Sequence, residues 1–146
     1  IYTQERNTSA IYSGNPSSIY AKVGLMYPSD YGYATVGGTT TNKSSCRAAA
    51  LYYWNSSSYS DCKNNDWLFK SQVTSWGSNK TEWLLSPYSS VSNRAAYLYS
   101  AGHVRLSGYD GVGSLQFAVR PTFYLDSSIL KIVGGDGSSL NPYRIG

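Results

Sequence analysis

Trp83-Leu84-Leu85-Ser86-Pro87, the run Ala95 to Ser100, the pair Ala101-Gly102 and His103-Val104-Arg105-Leu106-Ser107 decide the fold. Each run is short, and the last alternates polar with apolar residues, the period of a half-buried strand. Ala101-Gly102 reads as the turn of a hairpin. Period two then places Val104 and Leu106 inward and leaves His103, Arg105 and Ser107 outward. Downstream, Leu115, Phe117 and Val119 alternate again and read as core-facing. Arg120-Pro121 interrupts, and Thr122-Phe123-Tyr124-Leu125 continues. Ile129 to Val133 is a further strand, Gly134 to Ser139 a turn, and Asn141 to Ile145 a closing edge pairing.

The first half reads differently. Residues 1–22 suggest an extended arm or first strand, and Val23 to Tyr27 a buried strand stopped by Pro28. Ser29 to Tyr33 reads as loop, with Ser29 or Asp30 able to cap one helical turn. Cys46-Arg47-Ala48-Ala49-Ala50-Leu51-Tyr52-Tyr53-Trp54 is the best helix signal, with Ser44 or Ser45 as its cap. Trp67-Leu68-Phe69 reads as a core plug. Helices first and a small antiparallel sheet second make an α+β chain, with one domain over 23–146.

The chain has 146 residues, two of them Glu, and 14% are charged. That composition excludes long amphipathic helices and coiled coils. No apolar run is long enough to span a membrane. The net charge is +4, but the twelve Lys and Arg are scattered singly, which argues for a mildly basic surface and against nucleic acid. Ile1 in place of Met reads as the start of a mature or trimmed piece, with any signal peptide or anchor lying outside it.

Cys46 and Cys62 are the only cysteines, sixteen apart. A metal site would need ligands nearby, and the single histidine, His103, is distant. A disulfide needs only the second cysteine and an oxidising compartment; two free buried thiols are the alternative. The pairing would place the protein outside the cell or on its surface.

Two segments carry a resemblance. One is Leu25 to Ala34 with Cys46 and Cys62-Lys63-Asn64-Asn65-Asp66-Trp67-Leu68. The other is Trp83 to Pro87 with Val119-Arg120-Pro121-Thr122-Phe123-Tyr124-Leu125 and Gly135 to Tyr143. Together they resemble an uncharacterised secreted domain of Gram-positive gut bacteria, carried behind a pilin-like N-terminal anchor. The tryptophan strand, the hairpin and the Val-Arg-Pro segment are also similar to C-type-lectin-like folds, including formylglycine-generating enzymes and the variable proteins of diversity-generating retroelements. This resemblance implies a scaffold whose late strands and loops vary without unfolding the core. It does not extend to activity: no cysteine follows Cys62, and neither Glu-Pro-Asn nor Gln-Pro-Asp occurs, so neither that oxidase chemistry nor calcium-dependent sugar binding is implied.

No reacting constellation emerges. His103, the one possible triad base, reads as a surface side chain. Asp126 and Asp136 flank a strand but suit turns. Gly134-Gly135-Asp136-Gly137 lacks the lysine and helix of a phosphate loop. Asp61, Asn64, Asn65 and Asp66 offer oxygen donors for Ca²⁺, against a capped turn as the plainer reading. The expectation is therefore a non-enzyme without cofactor or metal.

The remaining signal is an outward set: Tyr88, Ser90, Ser92, Asn93, Arg94, Tyr97, Tyr99, His103, Arg105, Tyr109 and Asp110. Tyr, Ser, Asn and Arg are the residues of paratopes, where Tyr supplies area at low entropy cost and Ser and Asn adapt their hydrogen bonds. Against this stands the Tyr and Ser richness of the whole chain. The expectation is an extracellular module that binds a protein or glycan ligand. The alternative is a pilin-like structural subunit packing against neighbouring copies through 1–22 and 140–146.

Overall fold

A computed structural model describes residues 21–71, 81–87, 94–105, 117–123, 126, 131–136 and 140–146. The chain is α+β, with short helices followed by small antiparallel sheets. Strand β1 (Gly24–Leu25) leads into helices α1 (Pro28–Tyr33) and α2 (Lys43–Ala48). Two 3₁₀ turns, Leu51–Asn55 and Ser57–Tyr59, precede helices α3 (Ser60–Asn64) and α4 (Trp67–Lys70). The strands that follow are β2 (Glu82–Pro87), β3 (Ala95–Leu98), β4 (Val104–Arg105), β5 (Pro121–Thr122), β6 (Ile132–Gly134) and β7 (Arg144–Ile145). They form three sheets: β1 with β5, β2-β3-β4, and β6 with β7. The expected arm at 1–22 falls almost wholly outside the described residues.

Local chemistry explains the helix boundaries. Pro28 opens α1 at the position where a missing N–H costs nothing, and the Asp30 carboxylate accepts the Tyr27 N–H at 2.8 Å. The stretch expected as loop is therefore a helix, closed at its start by Asp30 reaching back. Asn42, not Ser44 or Ser45, caps α2 by accepting the Ser45 N–H at 2.8 Å. The single helix expected over Cys46–Trp54 is broken. Ala49 and Ala50 are extended, with ψ near 144° and 132°. The break turns Leu51 and Trp54 into the core beside Ala49, so burial overrides alanine propensity.

The core gathers Met26, Tyr31, Leu51, Trp54, Leu68, Leu84, Ala96, Leu98 and Val104 around Cys46–Cys62, which are bonded and tie α2 to α3. Tyr31 packs on Trp54 at 5.2 Å between ring centres, and its hydroxyl donates to the Gly102 carbonyl at 2.8 Å. Burial pushes the Tyr31 phenol well above its ordinary range. In the expected plug only Leu68 is buried; Phe69 packs at the edge and Trp67 is exposed. As the N-cap of α4, Asp66 turns Leu68 rather than Trp67 inward. Val119, expected in the core, is exposed too, because Arg120 is the residue that reaches inward.

The three-stranded sheet positions the surface of interest. Trp83 pairs with Tyr97 and Tyr97 with Arg105, while Glu82 pairs with Leu98 and Leu98 with Val104. Cross-strand partners share a face. Leu98, Val104 and Leu84 thus face the helices, and Trp83, Tyr97 and Arg105 face away. Gly102, at φ +80°, makes the hairpin turn, and a Cβ there would meet the Lys63 side chain at 2.7 Å.

Candidate functional site

Seven rings touch in sequence, from the sheet face that points away from the helices to the 3₁₀ turn Leu51–Asn55. Trp83 meets Phe117 at 4.6 Å between centres, Phe117 meets Tyr97 at 5.1 Å, and Tyr97 meets Tyr99 at 6.4 Å. Tyr99 meets His103 at 5.3 Å, His103 meets Tyr52 at 5.8 Å, and Tyr52 meets Tyr53 at 5.5 Å. Most of these pairs are tilted or edge-on, the arrangement that aligns positive ring edges with negative faces.

Exposure along this row is uneven. Tyr97 is 5% exposed and His103 2%, whereas Tyr52 and Tyr53 are 59% and 57% exposed. Two expectations are therefore corrected. Tyr97 and His103 occupy the sheet face that alternation assigned them, but neither is a surface residue. Phe117 and Trp83 flank Tyr97, and the 3₁₀ turn Leu51–Asn55 brings Tyr52 against His103. Rings delivered by distant segments have converted an outward strand face into a half-buried layer.

Arg105 lies over the Tyr99 ring, with Cζ 4.1 Å from its centre, and its Nε donates to His103 Nε2 at 3.0 Å. That bond requires His103 Nε2 to be unprotonated, so the neutral ring carries its proton on Nδ1, which is buried with no hydrogen-bond partner among the described residues. Burial lowers the tendency of His103 to charge, and the nearby Arg105 and Lys63 lower it further. Lys63 itself donates to the Ala101 carbonyl at 3.0 Å.

Of the outward set expected from the sequence, Tyr97, Tyr99, His103 and Arg105 are brought together. Arg94 is half-buried just before β3. Tyr88, Ser90, Ser92, Asn93, Tyr109 and Asp110 lie outside the described residues, as do Leu106, Ser107 and Leu115. The exposed members missed at the sequence level are Tyr52 and Tyr53, which read there as part of a helix. Their signal was two adjacent tyrosines in a stretch short of charged residues.

Other groups are locally engaged. Asp61 accepts from the backbone N–H of Thr40 at 2.6 Å and from its hydroxyl at 2.5 Å, which holds its carboxyl below the usual range. Asp66 is fully buried, and Oδ1 accepts the Phe69 N–H at 3.0 Å. Burial pushes the Asp66 carboxyl up to about 7, against backbone donors and Arg120 that pull it down. Asp61 thus serves as a clasp and Asp66 as a helix cap. Among the described residues no group of three or more His, Cys, Asp or Glu is placed to hold a metal ion. No helix among them is long and apolar enough to cross a membrane.

Comparison with protein-family models, curated proteins and solved structures finds no match.

Proposed function

We propose that this chain is an extracellular, non-catalytic ligand-binding module that engages its ligand through the aromatic row ending in Tyr52 and Tyr53. The row itself is the observation that carries this reading. Contiguous exposed rings over a half-buried aromatic layer supply contact area already ordered before binding. Their support is rigid on both sides: β3 and β4 fix Tyr99 and Arg105, and the Cys46–Cys62 bond anchors the segments flanking Tyr52. The disulfide favours an oxidising compartment, on or outside the cell. The order of elements, helices before an antiparallel sheet, supports a C-type-lectin-like scaffold for the module.

A second reading draws on the β6–β7 ribbon. Ile132, Val133, Leu140, Tyr143 and Ile145 are all exposed there. Such a ribbon suits a pilin-like subunit whose C-terminal edge packs against a neighbouring copy.

The two readings separate in one experiment. Glycan and protein arrays are probed with the wild-type chain, with Tyr52→Ala/Tyr53→Ala, and with Ile132→Ser/Ile145→Ser, while sedimentation reports assembly. The binding reading expects a ligand lost only in the tyrosine variant. Loss of assembly in the ribbon variant, with no ligand found on any array, supports the structural reading instead.

A further inference from the structure

Arg105 is a half-buried cation held in one orientation by two neutral partners. Tyr99 covers one face of its guanidinium, and His103 Nε2 takes the Nε proton. Neither contact uses the terminal Nη1 or Nη2 nitrogens. Among the described residues no ion pair joins Arg105 to a carboxylate; the Arg120–Glu82 pair does not involve it. Removing a cation from bulk water without a counter-ion is costly, and fixing its long side chain costs further entropy. A fixed guanidinium whose two-pronged end meets no acceptor among the described residues is the donor geometry that receives a carboxylate through parallel hydrogen bonds.

The rings on the far side of His103 narrow the ligand. His103 lies between Tyr99 on one side and Tyr52 on the other, at 5.3 and 5.8 Å between ring centres. Beyond it Tyr52 and Tyr53 stand nearly perpendicular, at 79°, and both are more than half exposed. Two open rings set at an angle offer platforms for the C–H faces of pyranose rings, and their hydroxyls offer hydrogen bonds to sugar hydroxyls. A helix-binding groove would need a continuous apolar stripe with anchors at helical spacing, which two angled tyrosines do not form.

We propose that the terminal guanidinium nitrogens of Arg105 receive the carboxylate of an acidic oligosaccharide whose neighbouring sugar rings stack on Tyr52 and Tyr53. This rests on the binding role proposed above and adds the chemical class of the ligand. His103 acts as a positioning residue, since its neutral Nε2 aims the guanidinium. Among the described residues, the charged groups facing His103 are Arg105 from the adjoining β4 and Lys63 from α3, and the rings of Tyr52 and Tyr99 pack against it.

The test uses a panel of uronate- and sialate-bearing oligosaccharides, each beside its carboxyl-reduced neutral counterpart, with binding measured by calorimetry. For the wild-type chain at least one acidic member is expected to bind about tenfold or more tighter than its reduced counterpart. Arg105→Gln is expected to erase that difference. Arg105→Lys, which keeps charge but not the two-pronged geometry, is expected to retain only part of it. Melting curves show whether each variant is folded, and the acid-to-neutral comparison on the wild-type chain stands whatever the variants do. Equal affinity for acidic and reduced members, or an undiminished difference in folded Arg105→Gln, overturns the carboxylate inference. If that binding still depends on Tyr52 and Tyr53, the ligand-binding reading survives. Arg105-dependent capture of a polyglutamate peptide without any sugar binding overturns the sugar assignment. Binding to no probe at all overturns the inference and leaves the ribbon reading ahead.

Discussion

Arg120 grips Glu82 with two hydrogen bonds, Nε to Oε2 at 3.0 Å and Nη2 to Oε1 at 2.8 Å, although 38 residues separate them. The same guanidinium donates to the Leu68 carbonyl at 3.2 Å and to the Ser71 hydroxyl at 2.9 Å. It therefore closes the C-terminal end of α4 onto β2, a role suited to a basic residue facing unpaired helix carbonyls. The Glu82 side chain is fully buried.

Breaking this pair from one side leaves a charge without its partner. Glu82→Ala is expected to destabilise by about 3–5 kcal/mol in urea denaturation. Glu82→Leu combined with Arg120→Met is expected to cost well under the sum of the two single changes, since both charges leave together. Additive costs would show that the two residues are not energetically coupled.

Asp66 governs stability from the acid side. Its folded pKa lies near 7 against an ordinary 3.8, so its contribution is fully present below 3.8 and is lost as pH rises through about 7. Asp66→Asn keeps an oxygen to cap α4 and removes the ionisation. The variant should gain stability relative to wild type as pH rises across that interval, measured by denaturation at a series of pH values. A stability difference that stays constant with pH would contradict the burial assigned to this carboxyl.

His103 runs the other way. Its folded pKa lies below the ordinary 6.5, so its contribution is present above 6.5 and is lost as pH falls through the folded value. Protonation would replace the acceptor at Nε2 with a donor and set a cation beside Arg105. His103→Gln can still accept from Arg105 but does not titrate. The stability of wild type relative to this variant should shrink on acidification below 6.5. No change with pH would mean that Arg105 does not depend on a neutral His103.

The disulfide joins cysteines sixteen positions apart. Cys46→Ser/Cys62→Ser is expected to lose about 3 kcal/mol by the chain-entropy argument, with a matching fall in melting temperature. A loss near zero would mean that packing around Trp54 and Leu68 already holds α2 against α3.

Face assignment was legible in the sequence, and exposure was not. Alternation placed Val104 inward and His103 with Arg105 on the opposite face, and the register of β3 with β4 agrees. Alternation cannot report what covers a face. Tyr97 and His103 are buried by Phe117, Trp83 and Tyr52, which arrive from separate segments. The closing pairing of the C-terminal segment was legible because the glycine-rich Gly134 to Ser139 reads as a turn, and Gly135 takes the positive φ, +90°, that glycine permits. The broken helix was hidden because Ala49 and Ala50 favour continuation, and only Trp54 and Leu51 seeking the core stop it. Arg120 was read as an interruption between strands. Its inward position depends on Glu82, a partner that no local pattern connects to it.

Oxidative footprinting of tyrosines, with and without a ligand drawn from the arrays, tests the central claim most directly. The expected result is protection of Tyr52, Tyr53 and Tyr99 on ligand binding, with Tyr143 on the β7 side unchanged. Protection confined to Tyr143, with Tyr52 and Tyr53 labelled as in the free protein, would contradict the claim and move the working surface to the C-terminal ribbon.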